Sequence, residues 1–331
     1  MSRPLTLLLD VTERCNLRCV MCHFARVERI HFPPFDLVPD EHGNMSAALF
    51  ERVAAQFFPH ARRVALGCAA EPLMHPRFAS LLGIASRYGV PELWFPTNLL
   101  ALTESTAEAI ARGKLSTVAV SIDGVCRETY EKIRAGATWE RLHAKLRLLR
   151  DAQRAARRRA PQLRIIFTWM RSNRSELRDL PAFAESLGAR ELDVRFVAPA
   201  VGVDLSSETL AGDDVRAELR AAARDAVRRG LRLAAWPQFD ERPRALPARL
   251  AWRWWRVRAG LDRVQDLMMG RRAPERMLVI RPSGAIFGCE HAREPLGFAG
   301  GPLAIRERGA CGSCASRGNV MYEAAPLRVG L

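Results

Sequence analysis

Lysine is almost missing from this chain: Lys114, Lys132 and Lys145 are the three among 51 basic side chains, and the rest are arginine. The formal net charge of +15 therefore rests on arginines spread along the whole chain, the skew that GC-rich codon usage produces, and does not by itself indicate nucleic acid. The densest run, Arg154 to Arg159, closes a helical pattern just before Pro161 and reads as a solvated helix face rather than a phosphate-binding patch. An acidic small substrate remains compatible with the charge. Also missing is any apolar run near the ~20 residues that span a bilayer. The stretch Leu5–Leu9 stops at Asp10, and charged residues follow too soon for a signal-peptide layout. The expectation is a cytoplasmic protein with no membrane partner. Disorder is excluded by 48% hydrophobic and 26% charged residues. With 331 residues the chain suffices for one large domain, or a domain plus an appendage, without disulfides or metals to hold it.

What the chain does have is patterned cysteine. Eight residues fall at 15, 19, 22, 68, 126, 289, 311 and 314. In a reducing compartment clustered thiols bind metal or do chemistry more often than they pair. Cys15, Cys19 and Cys22 form a CxxxCxxC spacing directly after the apolar stretch Leu5–Val11. Three thiolates on one loop suit three irons of a cubane and leave the fourth iron open. Structural zinc fits this spacing badly, because it asks for four ligands in pairs, although His23 could be offered as the fourth.

The stretch from Leu7 to Cys22, reading LLLDVTERCNLRCVMC, resembles the opening of radical S-adenosylmethionine (SAM) enzymes, especially those with an extra C-terminal cluster. The resemblance implies a [4Fe-4S] cluster held by Cys15, Cys19 and Cys22, with SAM chelating the open iron. It further implies that an electron delivered by an external donor such as flavodoxin or ferredoxin splits SAM into a 5′-deoxyadenosyl radical, which abstracts hydrogen from a substrate. Met21 then matches the apolar position near the adenine.

Beyond the cysteine loop, apolar strands alternate with amphipathic helices to about residue 230. The strands are read at Arg63–Leu66, Glu92–Pro96, Thr117–Ile122, Leu163–Met170 and Glu191–Val197. The helices between and after them are read at Ser46–Phe57, Pro76–Tyr88, Glu104–Arg112, Trp139–Arg158, Ser175–Leu187 and Asp213–Arg229. Such alternation implies an α/β fold with parallel strands, here a partial (β/α)6 TIM-like barrel whose site lies at the C-terminal ends of its strands. Residues 26–45, rich in proline, histidine and charge, read as a loop or lid. The family's motifs recur at those strand ends. Glu71, in Gly67-Cys-Ala-Ala-Glu-Pro72, matches an acid that receives the SAM amino group; Asn98 lies in Thr97-Asn-Leu99, where the family's glycine is lost. Ser121 and Asp123, in Ser121-Ile-Asp-Gly124, are candidate SAM contacts. Arg134 and Asn173 match further positions. Taken singly, each polar residue at a strand end is more simply a cap or a turn.

The alternation ends in a proline- and tryptophan-rich stretch, which suggests a domain of residues 1–230 and a second of 231–331. In the latter, Met277–Arg281 and Ala285–Gly288 read as a hairpin followed by Cys289 and the Cys311-Gly-Ser-Cys314 loop. This resembles the shortened (twitch) form of the SPASM auxiliary-cluster domain, a small hairpin-and-loop unit, and implies a second [4Fe-4S] cluster on Cys289, Cys311 and Cys314. A fourth cysteine is lacking, leaving His291, Glu290, Cys126 or an open iron for the remaining position. Cys68 and Cys126 follow strands at the barrel mouth, where a thiol could return hydrogen to a substrate radical; a small buried apolar residue is the plainer reading of each. The short stretch before Cys15 is read as too short for a leader-binding domain. That sets the expectation of a small carbohydrate-like or nucleoside-like natural product as substrate. Oxidation, epimerisation or bond formation would follow. A ribosomal-peptide maturase and an iron–sulfur nucleic-acid sensor are the rivals, and the SAM motifs count against the sensor.

Overall fold

Strand and helix alternate from residue 5 onward in the computed structural model, which describes residues 5–22, 43–197, 203–210, 212–236, 276–287 and 297–298. The first strand, β1 (Leu5–Leu9), is followed by α1 (Ala47–Phe57), β2 (Ala61–Leu66), α2 (Phe78–Ser86), β3 (Glu92–Thr97), α3 (Glu104–Arg112) and β4 (Thr117–Ser121). Next come α4 (Arg127–Ile133), α5 (Trp139–Ala155), β5 (Gln162–Trp169), α6 (Leu180–Ser186), β6 (Glu191–Phe196), α7 (Asp213–Arg228) and β7 (Arg232–Trp236). Local chemistry sets the helix starts. Ser46, Thr103 and Thr138 each accept a backbone N–H three residues on, which satisfies a donor that the first turn leaves unpaired.

Strands β1 to β7 lie side by side in chain order, each parallel to the next, as right-handed crossovers through helices require. The expected α/β architecture is therefore present, a mostly parallel sheet curled into a radical-SAM-like partial barrel. Three details differ from the sequence reading. A seventh strand, β7, extends the sheet beyond residue 230, where five residues at the threshold of the proline-rich stretch are too few for a periodicity. The seven-residue α4 is short for the same reason. The helix read at Ser175–Leu187 is split: a 3-10 segment, Arg171–Arg178, precedes α6, whose first turn holds Pro181 with its fixed φ and missing N–H.

The hairpin of the C-terminal part joins this same sheet. Strand β8 (Arg276–Ile280) pairs parallel with β1 on the side away from β2, and β9 (Ala285–Phe287) and β10 (Gly297–Phe298) continue outward antiparallel.

The two faces of the sheet differ. One packs on the helices, as where Phe95 of β3 meets Phe78 of α2 with ring centroids 5.0 Å apart. The other lines the inside of the open barrel and is only half buried. At its N-terminal end opposite charges alternate across the strands. Arg63 meets Glu92 at 2.7 Å and Arg164 meets Glu191 at 2.6 Å, while Arg232 also pairs with Glu191. Arg164 reaches Glu92 at 3.6 Å and lies over the Trp94 ring, 5.3 Å from its centroid. This ionic layer closes the bottom of the barrel. Among the described residues no helix is long and apolar enough to cross a membrane.

Candidate functional site

The loop leaving β1 carries Cys15, Cys19 and Cys22 at the C-terminal end of the sheet. Its backbone is held by neighbours rather than by regular structure. Arg18 N–H donates to Ala135 O and Val20 N–H to Ile133 O, both at 2.9 Å, and Glu71 N–H donates to Arg14 O at 3.0 Å. Cys19 is buried and the other two thiols are half buried. Burial pushes the Cys19 thiol up to about 11 against the opposing pull of Arg134, and burial likewise raises Cys15. Two N–H donors point at sulfur: Arg134 Nη1 at 3.8 Å from Cys19 Sγ, and Asn98 Nδ2 at 4.0 Å from Cys15 Sγ. Sulfur accepts weakly as a neutral thiol and far better as a thiolate. Donors already aimed at these atoms therefore fit an iron–sulfur cluster on this loop. Among the described residues no three His, Cys, Asp or Glu side chains gather closely enough for a single metal ion. A cubane differs in asking for thiols spread around separate corners.

Arg134 is the hinge of the buried polar network beneath the loop. Its Nη2 lies 2.7 Å from Asp123 Oδ2, and neither side chain reaches solvent appreciably. Burial opposes the guanidinium charge, but Asp123 and then Cys19 outweigh it and keep Arg134 protonated. Asp123 Oδ1 accepts Thr168 N–H at 2.6 Å, which ties the end of β4 to β5. Asn173 completes the brace: its Nδ2 donates to Asp123 O and Thr168 O, both at 2.9 Å, and its Oδ1 accepts Met170 N–H at 2.7 Å. Asp123 and Asn173 are wholly buried, so their polar atoms serve the strand ends. Arg134 Nε and the Tyr130 hydroxyl are buried without a hydrogen-bond partner. Gly124 is required here, because a Cβ would stand 2.5 Å from Tyr130 N.

A second carboxylate organises the neighbouring strand ends. Glu71 is buried and accepts the Thr97 hydroxyl at 2.6 Å, Asn98 N–H at 2.6 Å and Leu73 N–H at 3.1 Å. Burial pushes its pKa up to about 6, with these hydrogen bonds opposing. Asn98, so placed, also donates to Asn16 Oδ1 at 2.8 Å. Leu99, where the family's glycine is lost, nevertheless has the left-handed backbone glycine would take, with φ of 69°.

Sequence reading missed Asp10. Its Oδ1 accepts Cys68 N–H at 2.6 Å and Ala69 N–H at 3.0 Å, while its Oδ2 pairs with Arg281 just beyond β8. One buried carboxylate thus joins the ends of β1, β2 and β8. Apart from Ser121, the wall of the barrel was missed too: register places Trp94, Thr168, Asp193 and Arg195 on the inner face with it, all half buried. Arg195 pairs with Asp193 at 2.7 Å. The available signal was the period-2 alternation of Glu191-Leu-Asp-Val-Arg-Phe196. In a strand covered by helices on its outer side, the polar set must face a lumen.

The remaining candidates are dispersed. Ser121 stands on this inner face, and Met21 packs beside Ile133 and Met170 under the cysteine loop. Cys68 sits on the loop that Asp10 holds. Cys126 caps α4, and its thiol lies 3.6 Å from Glu176 Oε1. His23, Cys289, Glu290, His291, Cys311 and Cys314 lie outside the described residues, as does most of the 26–45 segment.

Residues 9–156 match the family model described as the Radical SAM superfamily. A Pyrococcus furiosus protein named tungsten-containing aldehyde ferredoxin oxidoreductase cofactor-modifying protein is 27% identical over 199 residues, which cover 58% of this chain and 51% of that protein. GTP 3′,8-cyclase from Microcystis aeruginosa is 26% identical over 222 residues, covering 64% of this chain and 63% of the cyclase. The matches thus span about half to two thirds of these relatives' lengths. SuiB from Streptococcus suis, crystallised with S-adenosylmethionine, superposes with a TM-score of 0.62 at 17% identity, covering 87% of this chain and 61% of SuiB. SuiB has also been crystallised with its precursor peptide SuiA. At that identity the likeness is one of fold.

Proposed function

We propose that this chain, whose residues 9–156 match the radical SAM superfamily model, is a radical SAM enzyme that cleaves SAM reductively and abstracts hydrogen from a small polar molecule. The observation that carries the reading is the cysteine loop at the mouth of the barrel, with N–H donors from Arg134 and Asn98 already aimed at two of its three sulfurs. A [4Fe-4S] cluster bound there with SAM would supply the one-electron reduction that turns SAM into a source of hydrogen-abstracting radical. Cys15, Cys19 and Cys22 would hold the cluster. Arg134 stabilises thiolate charge on Cys19, and Asp123 fixes Arg134. Glu71 orients Asn98 toward Cys15. Ser121 and Met21 are the half-buried side chains left for SAM or substrate, whereas Asp123 and Asn173 brace the strand ends.

Hydrogen-bonding side chains on the inner wall, Thr168, Asp193 and Arg195, suit a hydroxyl-rich molecule such as a carbohydrate-like or nucleoside-like compound. Two relatives named for a nucleotide and for a cofactor support the same substrate class. The peptide-maturase reading rests on the fold shared with SuiB and ranks second. A second cluster on Cys289, Cys311 and Cys314 belongs to the proposal as well, supported by the β8–β9 hairpin that ends at Phe287. A small iron–sulfur or flavin protein would supply the electron.

The test is anaerobic reconstitution with iron and sulfide counting. It compares wild type with a Cys15/Cys19/Cys22→Ala variant and a Cys289/Cys311/Cys314→Ala variant, each reduced with SAM and assayed for 5′-deoxyadenosine. About eight irons in wild type and about four in either variant are expected, with deoxyadenosine lost only when the first set is removed. No iron and no deoxyadenosine in wild type would overturn the reading. Four irons in both wild type and the second variant would remove the auxiliary cluster alone.

A further inference from the structure

The end of the barrel remote from the cysteine loop carries a cavity of about 440 Å3 that the proposed reaction does not use. It lies at the N-terminal ends of β4, β5 and β6, beneath the last turns of α5. Arg150 and Arg154 of α5, Arg158 and Arg159 of the following loop, and Arg190 just before β6 line it. Its floor is apolar, formed by Leu146, Leu149, Leu163 and Leu187. Two of the arginines are anchored through backbone carbonyls. Arg150 Nη2 donates to Leu187 O at 3.0 Å, and Arg158 Nη1 donates to Arg112 O at 2.9 Å. Arg154 makes an exposed pair with Asp151 at 3.3 Å, and no acidic side chain among the described residues lines the cavity.

Five guanidiniums gathered on one concave surface repel one another and are eased by an anion. Planar forks match phosphate oxygens two at a time; four of these arginines are exposed and able to close on a ligand, and the apolar floor beneath them is what a flat solvated helix face lacks. The volume falls within the roughly 300–1,000 Å3 of small-molecule sites, so the cavity has space for an uncharged ring as well as phosphates. We propose that it binds a phosphorylated small molecule of the nucleoside polyphosphate type, with the phosphates on Arg159 and Arg190 and the uncharged part on the leucine floor. The arginine run that reads as a solvated face in the sequence thus becomes one wall of a site, because folding brings Arg190 and the floor to it.

The experiment is isothermal titration of the full reconstituted chain with ATP, inorganic tripolyphosphate, adenosine and a single-stranded RNA oligonucleotide at fixed ionic strength. The variants are Arg159→Ala/Arg190→Ala, the same pair changed to Gln, and a control pair, Arg52→Ala/Arg77→Ala, that removes two exposed charges elsewhere. The expected result is one ATP per chain, unaffected by saturating SAM and tighter than tripolyphosphate, with adenosine silent. Binding should weaken at least about tenfold in both site variants and less than about twofold in the control. Equal weakening in site and control variants, displacement of ATP by SAM, absence of saturable binding, or preference for the RNA would each overturn the proposal.

Discussion

Removing the guanidinium of Arg134 should cost far more than its single direct ion pair suggests, and the cost should vanish when its partner is neutralised too. Asp123 is wholly buried, and its Oδ2 faces Arg134 Nη2 at 2.7 Å, while its Oδ1 is already used by Thr168 N–H. Arg134→Met therefore leaves a carboxylate in the interior with one oxygen unpaired, a loss of about 3–5 kcal/mol. Asp123→Asn keeps the Thr168 contact but leaves the guanidinium with only the weak acceptor at Cys19, 3.8 Å away, and should lose about as much. The double variant buries neither charge and should be no less stable than the worse single variant, a coupling of at least about 3 kcal/mol. Urea unfolding of the cluster-free chain, followed by circular dichroism, reads all four corners of the cycle. Losses that add to within about 0.5 kcal/mol would refute the reasoning, since the two charges would then not be compensating each other.

Three further outcomes are expected. Asp10→Ala should destabilise by about 3–5 kcal/mol in the same unfolding assay, because it removes two backbone hydrogen bonds and the charge opposite Arg281 together. Glu71 should make stability fall as pH rises: its carboxyl titrates near 4.5 when unfolded and about 6 when folded, so the folded chain holds the proton more tightly. Its stabilising contribution is complete below the lower value and lost by the upper, a change of about 2 kcal/mol that Glu71→Gln should abolish in unfolding curves compared across that window. At Leu99, buried with φ of 69°, alanine keeps the left-handed strain and loses the packing, whereas glycine loses the packing but relieves the strain. Leu99→Gly should therefore be more stable than Leu99→Ala by about 1 kcal/mol in thermal or urea unfolding, the reverse of the order in a helix.

The alternation of elements was legible because burial on helices imposes one period on strands and another on the helices themselves. Thr117–Ser121 and Glu104–Arg112 show these periods plainly, and both stand where the sequence puts them. Arg127–Ile133 and Arg232–Trp236 do not, since seven and five residues hold too little of either period. At the site, the grouping of Cys15, Cys19 and Cys22 was visible because the three thiols stand close together on one short loop. Contact partners were another matter. Asp10 interrupts an apolar run and looks like a mere break, yet its meaning lies in Cys68 and Arg281, which only the fold brings near. Asp123 stands just past β4 and Asn173 in the 3-10 segment after β5, and the wholly internal use of their polar atoms depends on Thr168 and Met170, which the sequence alone does not bring to them. Leu99 hides its left-handed backbone because nothing in a leucine announces it.

The position of β8 bears on when the site can come into being. Strand β1 has a neighbour on each side, β2 from the next stretch of chain and β8 from its far end, and Arg281 meets Asp10 across 271 positions. While the chain is being made, β1 therefore remains a border with unpaired N–H and C=O groups until residues 276–280 have emerged. Only then does Asp10 gain its counter-charge and the strand that carries the cysteine loop its second wall. A nascent chain, or one clipped before residue 276, carries its thiols beside an unfinished margin prone to sticking to other strands, so residues 276–280 both wall the strand that bears the cysteine loop and protect it from wrong pairing.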